Sequence, residues 1–399
     1  MIIKNVRVYT MDTACPAADG VIEPGYVAFS GGLITAVGEG EPPAGLCEDG
    51  MVDGRGGILM PGFIDGHTHL GIIEDSLNFE GNDCNDTDDP ISPQLRAIDG
   101  VNPFDRCFED ARRAGVTCVA VSPGSADPIG GQICVLKTAG RCVDRMAVKA
   151  TAAVKFALGE NPKSEHHARE QAPETRMATA ALIREALMKA KKYGEAMARA
   201  HETTDDPDSE PPDEPEYDIK NESLTAAVGG KIPVHFHAHR TDDIFTALRI
   251  SKEFGLDPVL IHCTEGHLIA KELAEEGVKA FVGPNICDRA KPELRSLSFD
   301  NPRILSEAGV KVALTTDHTV TPIQYLSLCA ALAVKSGMDY FEALRAITVN
   351  PAEILGIADR VGSIRTGMDA DLVLFDGDPL NLMTNVTGIW INGADVSAG

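Results

Sequence analysis

Short apolar runs that end in histidine or aspartate alternate with helix-like stretches through the middle of this chain. Strands that alternate with helices predict a parallel sheet, and roughly 250–300 residues of that pattern suit a closed eight-stranded barrel. The seven clear candidate strands are GGILMPGFIDGHTH, GVTCVAVS, AAVKFALG, KIPVHFHAH, PVLIHCTEG, KAFVGP and KVALTTD. We expect the eighth strand near QICVLKTAG or within residues 70–105.

Both ends of the chain have the alternation of half-buried β-strands. IIKNVRVY and YVAFSGGLITAVG alternate near the start, and DADLVLFDG and GIWINGADV alternate near the end. Because both terminal segments show this alternation, the sequence predicts one small β-sandwich domain built from both termini, residues 1–57 and 355–399. The sandwich would flank a metal-binding (β/α)8 barrel at residues 58–354. The predicted fold class is therefore α/β, with a TIM-like barrel.

An acidic, proline-rich insertion is predicted near residues 202–218, after a long helix at residues 174–201. Its composition cannot bury enough apolar surface to fold by itself. Barrel loops often build active sites, so the insertion could be a lid over the barrel mouth. We favour a solvated loop over a lid.

The charge of the chain restricts its partners. The formal net charge is −24 and the pI is near 4.8, and such an acidic surface repels nucleic acids and anionic membranes. The sequence has neither a stretch of about 18 apolar residues nor a signal peptide, so no membrane span is expected. Ten cysteines are scattered without a CxxC pair, which is typical of reduced thiols in a cytoplasmic protein.

Histidines are concentrated at four strand ends. Eight of the eleven lie in or beside them: His67, His69, His235, His237, His239, His262, His267 and His318. Neutral imidazole is the commonest protein ligand of zinc-like ions, so the grouping predicts a metal site rather than isolated structural histidines. His67 and His69 are two residues apart on a strand, so both side chains leave the same face and can hold one ion together.

Further strand ends add candidate ligands on the same face of the barrel. His237 ends IPVHFH, His262 ends PVLIH and Asp317 closes VALTTD. A buried carboxylate without a cation carries a large desolvation penalty, which favours Asp317 as a ligand and proton acceptor. Lys155 could supply a bridging anion after reaction with carbon dioxide, or Glu160 could bridge unmodified. A Lys155 side chain that snorkels outward is the remaining alternative.

Several segments together resemble one known family. FIDGHTHLG, HFHAHRTDDI, VLIHCTEG, VALTTDH and the tail NPAEILGIADRVGSIRTGMDADLVLFDGDPL are similar to the amidohydrolase superfamily, and most similar to its imidazolonepropionase-related branch. The resemblance implies a split β-sandwich around a barrel with one or two divalent metals, Zn2+ first among them. The implied ligands are His67, His69, His237, His262 and Asp317. Val154-Lys155-Phe156 resembles the setting of a carbamylated lysine, which favours Lys155 over Glu160.

The implied activity is hydrolysis of a C–N bond in an amide, cyclic amide or peptide of a small-molecule substrate. Asp317 would serve as general acid and base for a metal-activated water, while His262 and His239 would stabilise the developing oxyanion. The candidate substrate-binding residues are Arg240, His318 and Gln132. For Arg240, pairing with Asp242 or Asp243 is an equally good interpretation.

Three other functions fit a barrel of this kind. Deaminases of the superfamily typically have a glutamate three residues after the strand-five histidine, where this chain has Arg240, which weighs against an aminohydrolase. A prolidase-like dipeptidase shares the two-metal chemistry and stays open. A non-catalytic scaffold is disfavoured because every implied ligand is present. The resemblance is also compatible with a homo-oligomer.

Overall fold

The computed structural model describes residues 1–46, 50–201 and 213–397. Within them lie two eight-stranded sheets. The strands are β1 Ile2–Tyr9, β2 Val21–Ser30, β3 Leu33–Glu39, β4 Met51–Asp53, β5 Ile58–Pro61, β6 Phe63–Thr68, β7 Val116–Val121, β8 Ile129–Lys137, β9 Ala147–Ala157, β10 Val234–Ala238, β11 Pro258–His262, β12 Lys279–Val282, β13 Lys311–Leu314, β14 Leu372–Phe375, β15 Val386–Ile391 and β16 Ala394–Asp395.

The α-helices lie mainly between the strands of the second sheet. They are α1 Ala97–Gly100, α2 Cys107–Arg113, α3 Val143–Met146, α4 Glu160–Ala168, α5 Arg176–Ala200, α6 Ile219–Thr225, α7 Thr241–Phe254, α8 Ala270–Glu275, α9 Asn301–Glu307, α10 Leu326–Lys335, α11 Tyr340–Arg345 and α12 Val349–Ile354. None of the described helices is long and apolar enough to cross a membrane. The predicted long helix is present as α5, and its cap Thr175 accepts a hydrogen bond from the Ala178 amide.

The second sheet follows chain order from β6 to β13 and forms a TIM-like barrel, as predicted. Most of its strands are apolar and buried on both faces, which is typical of parallel strands covered by helices. The eighth strand is β8, which confirms the expectation near QICVLKTAG. However, β8 runs antiparallel to both β7 and β9, so the strict (β/α)8 pattern was wrong at this position. The connection at residues 122–128 is too short for the helical crossover that parallel strands need.

The first sheet joins both ends of the chain in the order β16-β15-β14-β5-β1-β2-β3, with β4 paired to β1. The expectation that Ile58–Pro61 belongs to the first barrel strand was wrong, because β5 pairs with β1 and β14. Gly62 separates β5 from β6, and a Cβ there would lie 2.0 Å from Thr117 Oγ1. A separate β-sandwich domain with boundaries at residues 57 and 355 stays a prediction.

The barrel closes between its first and last strands without an ordinary ladder of backbone hydrogen bonds. Ile64 of β6 donates to the Ile347 carbonyl at 2.8 Å, and Leu314 of β13 donates to the Ala346 carbonyl at 2.8 Å. At the carboxyl ends, the amide of His69 donates to the carbonyl of His318 at 2.8 Å. This seam therefore adjoins the predicted metal site.

The predicted insertion near residues 202–218 lies mostly outside the described residues, which omit 202–212. Its final part, residues 213–218, leads directly into α6. Asp218 caps that helix by accepting hydrogen bonds from the amides of Lys220 and Asn221. The lid and the solvated loop both stay predictions.

Candidate metal centre

The predicted ligands meet around one cavity of about 290 Å³ at the carboxyl ends of the barrel strands. They come from β6, β9, β10 and β11 and from the turn after β13. Apolar side chains on the wall include Ile73, Leu294 and Val320. The predicted residues that line the cavity are His67, His69, Lys155, His237, His239, His262 and Asp317.

One group of ligand atoms surrounds Asp317. Its Oδ1 lies 3.3 Å from His67 Nε2 and 3.4 Å from His69 Nε2. Lys155 Nζ lies 3.3 Å from the same His67 nitrogen. Because β9, the end of β6 and the turn after β13 supply these atoms, the tertiary fold assembles the group that the sequence predicted.

A second group consists of three imidazoles. His262 Nε2 lies 2.9 Å from His237 Nδ1, and the His239 ring stacks on His262 with centroids 4.5 Å apart. One nitrogen from each ring lies within 4.8 Å of the others. The two groups adjoin, because the His67 and His262 ring centroids are 5.6 Å apart.

Carbonyl acceptors fix the protonation of two imidazoles. His69 Nδ1–H donates to the Ser122 carbonyl at 2.8 Å, and His262 Nδ1–H donates to the Gly283 carbonyl at 2.7 Å. A carbonyl can only accept, so Nδ1 carries the proton when the ring is neutral and Nε2 is free to bind a cation. Such outer contacts are typical of histidines that ligate metals.

Electrostatics favour the ligand forms of most of these side chains. Burial lowers the pKa of His67 and His237 well below the usual value and that of His262 to about 4, so the rings are neutral. Burial likewise lowers the Lys155 pKa to about 8. Burial would raise the Asp317 pKa, but His262 and the hydrogen bonds from His67 and His69 hold it well below its usual value.

His69 differs from the other imidazoles. Burial would lower its pKa, but Cys84 and Asp317 together raise it to about 10. The imidazolium proton of His69 therefore compensates the Asp317 charge, which is what a bound cation would do. A donor set of imidazoles, one carboxylate and one buried lysine fits a divalent cation.

Four candidates from the sequence do not line the cavity. Glu160 and Arg240 line a neighbouring pocket, and Arg240 forms a bidentate ion pair with Asp242 at 2.8 and 2.9 Å. Gln132 accepts a hydrogen bond from Thr151 and donates to the Pro93 carbonyl. His318 Nδ1 accepts from the Ile323 amide. The pairing interpretation of Arg240 therefore describes its contacts.

The sequence interpretation missed several polar residues near the centre, and four of them make or face the contacts that matter most. Cys84, Asn161 and Lys291 line the cavity, and the carboxylate of Glu293 lies against His239. Lys291 and Glu293 follow the candidate strand KAFVGP, so their position after a barrel strand was a usable signal. Their charged, loop-like surroundings gave no reason to expect burial.

The chain is similar to known proteins over most of its length. The amidohydrolase family model matches residues 58–394. Amidohydrolase tasK of Hapsidospora irregularis is 30% identical over 394 residues, which cover 92% of this chain but only 39% of that protein. Imidazolonepropionase of Phocaeicola vulgatus is 27% identical over 400 residues, with 92% and 88% coverage. The crystal structure of an amidohydrolase from Thermotoga maritima MSB8 is similar over 99% of both chains, with a TM-score of 0.90 and 39% identity.

Proposed function

Since this chain belongs to the amidohydrolase family, we propose that its cavity holds one or two divalent cations, zinc first among them, for hydrolysis of a carbon–nitrogen bond. The observation that carries this proposal is the convergence of two groups of ligand atoms at one end of the barrel. The first group would use His67, His69 and Asp317, and the second would use His237 and His262. Zinc prefers such nitrogen and carboxylate ligands.

Lys155 is the proposed ligand between the two groups. Its side chain is 1% exposed, and its lowered pKa leaves part of the amine neutral near neutral pH. A neutral amine can bond through nitrogen to the carbon of carbon dioxide and release one proton, which leaves an anionic carbamate. Glu160 lines the neighbouring pocket instead, so we favour Lys155 over Glu160 as the bridging residue.

Bound divalent cations would supply Lewis acidity, which lowers the pKa of water towards about 7 and polarises a carbonyl. Asp317 would accept a proton from the attacking water and transfer it to the leaving nitrogen, since its low pKa keeps it ionised. His239 would stabilise the oxyanion from the cavity wall. Both nitrogens of His262 face other groups, Gly283 and His237, which supports a ligand role and not an oxyanion role.

We propose that the substrate is a small amide with an anionic group. Lys291 lines the cavity and is partly exposed, and its ammonium is held by Asn161 Oδ1 at 2.7 Å and Glu293 Oε1 at 3.0 Å. An ammonium has three N–H donors, so one is left for a substrate oxygen. This role replaces the one predicted for Arg240, His318 and Gln132, which lie outside the cavity lining.

The variant Asp317→Asn tests the proposed chemistry. Zinc content and the hydrolysis of a panel of cyclic amides, amino-substituted purines and pyrimidines, and dipeptides would be measured for the purified protein. We expect the wild type to bind zinc and the variant to lose about 10²–10⁴-fold in kcat, because the amide cannot accept the proton. The histidine ligands should retain most of the metal. Asp242→Asn is the control, since Asp242 pairs with Arg240 outside the cavity.

The products of the panel separate the related functions. Ring opening without ammonia release supports an imidazolonepropionase-like reaction, ammonia release supports an aminohydrolase, and release of an amino acid supports a dipeptidase. A wild-type protein that binds no divalent metal, or a fully active Asp317→Asn variant, would refute the proposal.

The remaining expectations concern the whole protein. We propose a cytoplasmic location, no nucleic-acid or membrane partner, and a separate β-sandwich domain built on the terminal sheet. The net charge of −24 supports the second of these, since it disfavours anionic partners, and the ten scattered cysteines without a CxxC pair support the first. A homo-oligomer also stays a proposal, which sedimentation of the purified protein would test.

A further inference from the structure

Glu293 is a buried carboxylate to which the proposed chemistry gives no role beyond its contact with Lys291. It lies in a single 3-10 turn, Pro292–Leu294, in the connection after β12, and its side chain is 1% exposed. A buried ionised group is costly unless it is paired and hydrogen-bonded. The contacts of Glu293 should therefore indicate what it does.

Donors from three separate connections surround this carboxylate. Lys291 Nζ donates to Oε1 at 3.0 Å, and the Glu160 amide at the start of α4 donates to Oε2 at 3.1 Å. His239 Nε2 and His237 Nε2 lie 3.6 and 3.9 Å from Oε1. His237 belongs to β10 and His239 directly follows it. One carboxylate oxygen therefore faces the two rings at the end of that strand.

The two nitrogens of His237 have different surroundings. Nδ1 faces His262 Nε2 at 2.9 Å, which is the side where a cation would bind. Nε2 is buried and has no hydrogen-bond partner within the described ranges, and Glu293 is the carboxylate beside it. A histidine that ligates a metal almost always donates its other ring N–H to a carboxylate, a carbonyl or water.

We infer that Glu293 is a positioning residue: when Nδ1 of His237 binds the cation of the second group, the Nε2–H faces Glu293, which accepts it and holds the ring in that orientation. This inference rests on the proposed function. Lys291 donates to Oε1 and the Glu160 amide donates to Oε2, and together they hold the carboxylate in place. The contact with His237 is longer than a hydrogen bond in this structure and should shorten when Nδ1 binds a cation.

The test is the metal affinity of the variant Glu293→Gln. Metal-free protein would be titrated with Co2+ and followed by absorption and by competition with a chelator. We expect the affinity of one equivalent, that of the His237 group, to fall about 10–100-fold, because outer-shell partners of ligands typically contribute that much. The other equivalent, that of the His67 group, should bind as in the wild type.

Glu265→Gln is the matched control. Glu265 is also buried, but its carboxylate binds Ser296 and the Thr241 amide, and it makes no imidazole contact among the described side chains. Wild-type affinity in Glu293→Gln, or an equal loss in both variants, would overturn the inference. If the wild type itself binds no Co2+ or Zn2+, the proposed function fails, which is a different result.

Discussion

Two of the proposed ligands have backbone angles that most residues avoid. His262 has a φ of 70° and Asp317 a φ of 50°, both in the left-handed region. Such conformations cost of order 1–3 kcal/mol each and cluster at functional sites. At the carboxyl ends of β11 and β13 they turn the chain sharply, so that both side chains face the cavity. The strain is local to residues whose side chains the proposed chemistry requires.

Lys291 is expected to bind the anionic group of the substrate. Replacing Lys291 by Met should raise KM for a carboxylate-bearing substrate about 10–100-fold, because a charge-assisted hydrogen bond contributes roughly 1.5–3 kcal/mol. The value of kcat should change much less, since Lys291 contacts no ligand imidazole directly. Steady-state kinetics with the substrate and its uncharged amide analogue would measure the difference.

Lys163→Met is the control for that measurement. Lys163 lines the neighbouring pocket and not the cavity, so its loss should leave KM unchanged. An unchanged KM in Lys291→Met would contradict the proposed anionic substrate and leave the metal chemistry intact.

Among the elements, β6 and β13 matter most, because β6 contains His67 and β13 leads to Asp317. These two strands are joined by a side chain instead of by a backbone ladder. Asp65 of β6 is fully buried and accepts hydrogen bonds from Thr315 Oγ1 at 2.6 Å and from the Thr316 amide at 3.0 Å. The Thr316 hydroxyl and the His67 amide also donate to it. One carboxylate therefore replaces part of the missing ladder between the first and last strands.

The variant Asp65→Asn tests whether this carboxylate holds the first and last strands together. The asparagine side chain has only one oxygen, and its NH2 group would face donors that bind a carboxylate oxygen in the wild type. We therefore expect the free energy of unfolding to fall by roughly 1–3 kcal/mol. The separation of His67 from Asp317 should also become less fixed, and the affinity of the first metal should fall about 10-fold. Urea unfolding and chelator competition would measure the two effects. Unchanged metal affinity would mean that the strands keep their positions without Asp65.

In the whole molecule, a buried ion cluster connects the barrel to the terminal sheet. Lys137 of β8 is 2% exposed and contacts Asp371 and Asp369, the latter at 3.0 Å. Arg360 also binds Asp369 at 2.8 Å, and the Asn392 amide donates to Asp371 at 2.9 Å. Segments more than 200 residues apart are thus held together by charge as well as by apolar packing.

Replacing Lys137 by Met should destabilise the protein by about 3–5 kcal/mol, because Asp371 would stay buried without a cation and Asp369 would keep only Arg360. Urea unfolding would measure the loss. The triple variant K137M/D369N/D371N should recover part of it, since no unpaired buried charge remains. Metal affinity should not change in either variant. A loss below about 1 kcal/mol in Lys137→Met would mean that apolar packing alone holds the sheet to the barrel.

The sequence by itself determined the features that depend on local periodicity. Apolar runs with polar ends predict barrel strands, and the two-residue repeat directs His67 and His69 to one face. The same apolar runs also located the carboxyl ends of the strands at which His237, His262 and Asp317 lie beside the cavity. The convergence of these proposed ligands could be predicted because each one is fixed by its own strand.

Only the tertiary structure decided what depends on the path of the connections. The seam closed by Asp65 and the approach of Glu293 to His237 both join residues far apart in the chain. Local periodicity carries no information about which loop covers a strand end, so the sequence offered Arg240 and missed Lys291. In the fold, Asp242 binds Arg240 outside the cavity whereas Asn161 and Glu293 hold Lys291 at its wall.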